Sequence, residues 1–198
     1  MEFNYNVARK KVYKLVKKSC DSPNNIFTAA WDYHILAVAR HSLSLGRKTG
    51  ADLKVLEIAS LLHDYSSTLH PKYVAEHHVH SVKFAEKILK ELNFPEKMIE
   101  HTKHCILSHR GSLKIKRATL ESKILASADA MSHITELASM FYLTYGVRKF
   151  KTKEGAEWLK GKLQRSWNKI MPEGKEMVKN DYELAMKIIN KALADSKN

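Results

Sequence analysis

The stretch "ASLLHDYSS", residues 59–67, places His63 and Asp64 at the end of an apolar run with helical spacing. A helix that buries one face has no use for an imidazole and a carboxylate in its last turn unless they are partnered. Desolvating an uncompensated carboxylate costs several kilocalories or more. The doublet therefore asks for other polar residues that could meet it.

Two further helical segments supply them. In "AAWDYHILAVARH", His34 shares a face with Ala37, Val38 and His41, because positions three, four and seven apart lie on one side of a helix. In "TLESKILASADAMSHI", Asp129 shares a face with Leu125, Ala128 and Ser132. One divalent cation would satisfy His34, His63, Asp64 and Asp129 together. Imidazole and carboxylate ligands suit Mn²⁺, Fe²⁺, Co²⁺, Ni²⁺, Zn²⁺ or Mg²⁺, and the absence of cysteine from the set argues against a thiolate zinc site.

Apolar residues recur at three- and four-residue spacing along the whole chain, with only 7 glycines and 4 prolines in 198 residues. That pattern predicts an all-α fold. Helices are expected over Asn4–Ser19, Phe27–Leu45, Asp52–Asp64, His80–Leu92, Pro95–Leu107, Thr119–Leu143, Glu154–Ile170 and Glu173–Ala194. Asp52 suits an N-cap, Pro95 a first helical turn, and Gly46 and Gly50 a connection. The segment from Gly146 to Gly155 reads as a basic loop. With no linker or repeat, residues 1–198 are expected to form a single domain.

The ordered set H…HD…D resembles the HD superfamily of metal-dependent phosphohydrolases. "DYHILAVA" supplies the first histidine and "LLHDYSS" the doublet. "TLESKILASADAMSHI" is similar to the family's closing "TLEAKILxDAD" segment. The resemblance covers about residues 25–140 and leaves 146–198 as additional C-terminal helices on an HD-domain helical bundle. It implies that His34, His63, Asp64 and Asp129 are the metal ligands, and that a metal-activated water attacks a nucleotide or related small phosphoester. Some HD proteins hold two metals through an extended H…HD…H…H…D pattern; for that role His80 and His109 fit best, with His104 competing. His80 and His109, beside Asp64, are then the candidates for assisting catalysis. The chain departs from many relatives at Ala37, Ser66, Ser67 and Ser127, which leaves the quartet intact and the substrate open.

The formal charge of +13 favours anionic partners. Arg110, Lys114, Lys116 and Arg117, in "RGSLKIKRAT" just before the Asp129 helix, are candidates for holding phosphate. The lysines of the last two helices read as a solvated face, and Trp158 and Trp167 as packing residues. Nucleic-acid binding is a weaker alternative, as are a nucleotide-sensing module without turnover and a di-iron oxygenase. The apolar residues around Met140 to Tyr145 could serve a homo-oligomer or the core. No stretch reaches membrane-span length, and Cys20 and Cys105 form no redox or metal pair; together these predict a cytoplasmic protein.

Overall fold

The computed structural model describes residues 3–111 and 115–195. Its elements are α1 (Tyr5–Cys20), α2 (Leu36–Thr49), α3 (Leu53–Leu62), α4 (Tyr65–Leu69), α5 (His77–Glu91), α6 (Glu96–Ser108), α7 (Leu120–Thr135), α8 (Leu137–Phe141), α9 (Thr152–Lys169) and α10 (Pro172–Asp195). Wider π-type turns cover Trp31–Ile35 and Tyr142–Val147, and a 3-10 turn covers Pro71–Tyr73. No strand occurs among the described residues, and no helix among them is long and apolar enough to cross a membrane.

Helix α7 is the axis of the fold. Every residue from Glu121 to Ile134 is buried except Lys123, and the small residues of "LASADA" let α2, α6, α9 and α10 approach it. Its start carries a capping box: the Thr119 hydroxyl accepts from Ser122 N, and Ser122 Oγ accepts from Thr119 N. One apolar cluster joins α1, α3, α5 and α6 around Val12, Ile58, Leu62 and Ile106. A second joins α7, α9 and α10 to Leu45 and Leu56. Between them, Val38, Val55, Ala59, Leu125 and Ala128 tie α2 and α3 to α7.

Asp52 caps α3, accepting from Lys54 N and Val55 N. Pro95 is the residue preceding α6 rather than its first. The helix predicted to end at Leu45 continues to Thr49, where Gly50 closes it with φ +73°. Gly46 lies inside that helix: a Cβ there would stand 2.5 Å from Leu56 Cδ1 and 2.7 Å from Leu53 Cδ2, so its role is close approach of α3. The segment predicted as one helix from Thr119 to Leu143 breaks at Glu136, whose φ and ψ of −101° and 53° are not helical. The basic loop is shorter than predicted, because Gly155 lies within α9, against the Tyr145 ring. Trp167 stacks on Tyr182 at 4.4 Å, and Trp158 contacts Phe150 and Arg148, as packing residues do.

His41 bonds Thr135 at 3.0 Å and thereby links α2 to the end of α7. Burial, reinforced by Arg40, pushes its imidazole down to about 4 from an ordinary 6.5. Because the folded pKa is depressed, His41 contributes fully above pH 6.5, and its contribution is lost as pH falls through that value toward 4. Thermal melts at pH 7 and pH 5 should show the wild type losing up to about 2 kcal/mol more than His41→Gln. Parallel losses in the two proteins would contradict this account.

Candidate metal centre

The end of α3, the start of α5, the end of α6, the turn before α2 and the middle of α7 meet at one point. His34 arrives on the Trp31–Ile35 turn, His63 and Asp64 follow α3, and Asp129 projects from α7. His34 Nε2 lies 3.1 Å from His63 Nε2, 3.4 Å from Asp64 Oδ2 and 3.8 Å from Asp129 Oδ1. His63 Nε2 is 3.7 Å from Asp64 Oδ2.

The hydrogen-bond network fixes which ring nitrogens carry protons. His63 Nδ1 donates to Ser60 O at 2.8 Å. Ser132 Oγ donates its one proton to Asp129 O, so His34 Nδ1 must donate to Ser132 Oγ at 3.1 Å. With both rings neutral, the two Nε2 atoms present lone pairs to each other and to carboxylate oxygens; burial opposes a proton on His34, but the Asp64 carboxylate outweighs it and raises the His34 pKa, and a protonated His34 donates to that carboxylate. Four acceptors converging in this way could hold a cation, and the donor set suits a first-row divalent ion.

A second convergence occupies the other oxygen of Asp64. His77 Nδ1 donates to Val74 O at 2.9 Å, and His109 Nδ1 donates to Ile106 O at 2.6 Å. Their Nε2 atoms stand 3.2 Å apart, and lie 3.4 and 3.7 Å from Asp64 Oδ1. Among the described residues, Asp64 Oδ1 is buried without a hydrogen-bond partner. The orphaned oxygen and the two bare nitrogens could hold a metal, as could His34, His63 and Asp64 Oδ2.

The electrostatics follow this arrangement. Burial alone would raise the Asp64 carboxyl, but the imidazoles of His63, His77 and His34 outweigh it and hold it well below the carboxylate range. Burial likewise opposes the Asp129 charge, and Lys169, His133 and His109 overcome it. Lys169 Nζ donates to Asp129 Oδ2 at 2.6 Å, leaving Oδ1 toward His34. Burial drives His109 down to about 3, with His63 adding to the effect, and so keeps its lone pair available.

The other expected site residues make contacts of their own. His80 rests against the Tyr73 ring at 4.7 Å, and His77, not His80, stands beside Asp64. The reason is that α5 begins one turn earlier than the sequence pattern predicts. Ser66 fixes that start, since its hydroxyl donates to His77 O and lies 3.0 Å from Ser81 Oγ. His104 Nε2 accepts from Ala118 N, so its lone pair is spent on the backbone. Arg110 donates to Ala75 O, Arg117 to Ser108 O, and Lys116 is exposed, while Lys114 lies outside the described residues. Arg110 and Arg117 thus brace neighbouring backbone, and among the described residues Lys169 forms the lysine ion pair to Asp129.

Sequence reasoning missed His77, Lys169 and His133. His133 stands 3.7 Å from Asp129 Oδ1, stacks on His34 at 5.9 Å and bonds Ser166 on α9. Its spacing of four from Asp129 on one helix was the available signal. Ser127 accepts from Met171 N and anchors the turn between α9 and α10.

Replacing His77 by Ala should weaken binding of Mn²⁺ at the Asp64 Oδ1 side by at least about tenfold, whereas His80→Ala should leave it unchanged. Titration calorimetry on the two variants checks this. Equal losses would contradict the assignment of His77.

The chain matches no curated protein. Among solved structures its fold is similar to the Lin1889 protein of Listeria innocua, with TM-score 0.72, 19% identity and coverage of 95% of this chain and 94% of that one. Bacillus subtilis YpgQ gives TM-score 0.72 at 18% identity over 96% of each chain. An HD-superfamily hydrolase of Bacillus thuringiensis gives 0.70 at 18%, covering 98% of this chain and 99% of that one. At such identities the likeness is one of fold. The family model of the HD domain matches residues 31–134, the span that carries His34, His63, Asp64 and Asp129. This chain belongs to the HD-domain family.

Proposed function

We propose that the protein is a divalent-metal-dependent phosphohydrolase acting on a nucleotide or related small phosphoester. The observation that carries this reading is the convergence of bare imidazole nitrogens and carboxylate oxygens on the two sides of Asp64. His34, His63, Asp64 and Asp129 would hold one ion; Asp64, His77 and His109 would hold a second. A bound divalent cation supplies positive charge to a phosphoryl oxygen and lowers the pKa of a coordinated water.

The chain's own groups do the rest. Backbone carbonyls at Ser60, Val74 and Ile106 lock three imidazoles with Nε2 toward the centre, so no reorganisation is needed when substrate arrives. Lys169 holds Asp129 in one orientation. Asp64, with one oxygen in each convergence, keeps both sides of the site in register. B. subtilis YpgQ, similar in fold, has been solved in complex with ADP, which supports a nucleotide as the substrate class.

Turnover of nucleotides in ¹⁸O-labelled water, with metal-stripped protein reloaded with Mn²⁺, tests this reading. Label entering the phosphorus-containing product is the expected outcome. The paired convergences also suit a di-iron centre; substrate oxidation supported by Fe²⁺ alone, with no labelled phosphate from any nucleotide, would favour that reading instead.

A further inference from the structure

Helix α1 contains six basic residues and no acidic one. Its apolar side, Ala8, Val12, Val16 and Cys20, is buried in the first cluster, and Arg9 and Tyr5 both reach Glu57 on α3, at 2.7 and 2.9 Å. The helix is thereby fixed on the body of the protein with its other side outward. That side presents Lys10, Lys11, Lys14, Lys17 and Lys18, all exposed, and at about 100° per residue they span roughly a third of the circumference.

An ordinary solvated face mixes signs. On α5, Lys87 and Lys90 meet Glu91 and Glu86, and on α10 Lys179 meets Glu183. On α1, Lys10, Lys11, Lys14 and Lys18 form no ion pair among the described residues, while Lys17 pairs with Asp21 just past the helix end at 2.7 Å. Like charges three and four residues apart, as at Lys10, Lys14 and Lys18, weaken a helix, and no acid within α1 offsets them. The helix dipole favours Lys17 and Lys18 in the last turn, but Lys10, Lys11 and Lys14 lie too far from it.

An open hollow of about 510 Å³ adjoins this face, lined by Tyr13, Lys14, Lys17, Lys18 and the turn at residues 21–23. Tyr13 is 39% exposed, and its ring is held by Trp31, with centroids 4.5 Å apart and planes at 87°. An exposed aromatic ring fixed among ammonium groups offers a stacking surface beside a track for phosphates, the combination that binds single-stranded nucleic acid. A membrane surface fits less well, because the apolar side of α1 is already buried and its exposed apolar residues are Val7 and Tyr13. An acidic peptide would engage the lysines but has no base to set on Tyr13.

We propose that the outward face of α1 is a docking surface for single-stranded nucleic acid, with Lys10, Lys14 and Lys18 on the phosphate backbone and Tyr13 stacking a base in the adjoining hollow. The assignment stands independently of the metal centre and its chemistry.

The test is fluorescence anisotropy of a labelled oligothymidylate and a labelled DNA duplex, titrated with the full chain over a range of salt. The variants are the triple Lys10→Gln, Lys14→Gln, Lys18→Gln on α1, the triple Lys179→Gln, Lys187→Gln, Lys191→Gln on α10, and Tyr13→Leu and Tyr13→Phe, with melting temperature and circular dichroism as folding controls. The α1 triple should lose about tenfold or more in affinity for the oligothymidylate and make the plot of log affinity against log salt shallower by about 2, whereas the α10 triple, which removes the same charge, should lose less than about twofold. Tyr13→Leu should lose about fivefold or more for the single strand with an unchanged salt slope and no change for the duplex, and Tyr13→Phe should bind like wild type. Absence of binding by the wild type, equal losses in the two triples, or no effect of Tyr13→Leu would overturn the proposal. So would binding of poly-glutamate or of phosphatidylserine vesicles as tight as that of the oligothymidylate and lost in the same α1 triple, which would assign the face to a protein or a membrane instead.

Discussion

Replacing Asp64 by Ala is expected to abolish metal-dependent hydrolysis, with kcat/KM falling by at least about 10³-fold, equivalent to roughly 4 kcal/mol of lost transition-state stabilisation. The effect is large because Asp64 contributes Oδ2 to the His34 and His63 side and Oδ1 to the His77 and His109 side. Its removal takes an anionic ligand from both convergences at once and leaves imidazole lone pairs facing one another. Asp64→Asn provides a sharper comparison, since it retains the shape and removes the charge. Both variants should lose Mn²⁺ affinity in calorimetry while keeping the helical circular-dichroism spectrum. Retention of full activity by metal-stripped Asp64→Ala would reject the mechanism.

Metal loading should also produce a large stabilisation. In the metal-free chain, six acceptor atoms from His34, His63, His77, His109 and Asp64 crowd together, and one of them, Asp64 Oδ1, is buried without a hydrogen-bond partner among the described residues. Binding to the folded state alone stabilises by about 4 kcal/mol at a free concentration near one thousand times Kd. For a chain of this size that corresponds to a rise in Tm of roughly 8–16 °C. Differential scanning calorimetry with and without Mn²⁺ checks it, and chelator should reverse the shift. The increment should decline as pH falls through the raised pKa of His34, which must shed a proton to bind metal, while His63 and His109, depressed by burial, are already unprotonated there. An unchanged Tm at saturating Mn²⁺ would show that the convergence holds no ion.

The residues that announced themselves in the sequence share one property: each is polar where helical spacing predicts burial. His63 and Asp64 end an apolar run, and Asp129 sits within a helix that proves buried over almost its whole length. Such conflict between local pattern and burial is readable without coordinates. His77 escaped because "EHHVH" offers several histidines with no apolar contrast, and the first turn of α5 lacks a side-chain cap that would mark its start. Lys169 escaped for a different reason. On α9 it resembles any solvated lysine, and only the packing of α9 on α7 brings it to Asp129.

The charge of "RGSLKIKRAT" suggests a phosphate cradle, and in the structure Arg110 and Arg117 also donate to the backbone carbonyls of Ala75 and Ser108. Charge counted along a chain does not reveal where guanidinium groups point. Gly46 is a related case: glycine often ends a helix, but here the approach of Leu53 and Leu56 explains the absent side chain within one.

The most direct measurement of the central claim is release of phosphate and pyrophosphate from a panel of nucleotides by metal-stripped protein, titrated with Mn²⁺ beside an Asp64→Ala control. The account predicts release that rises with Mn²⁺ to saturation in the wild type and is absent in the variant. No release from any nucleotide at saturating Mn²⁺, with the ion stoichiometrically bound, would contradict it.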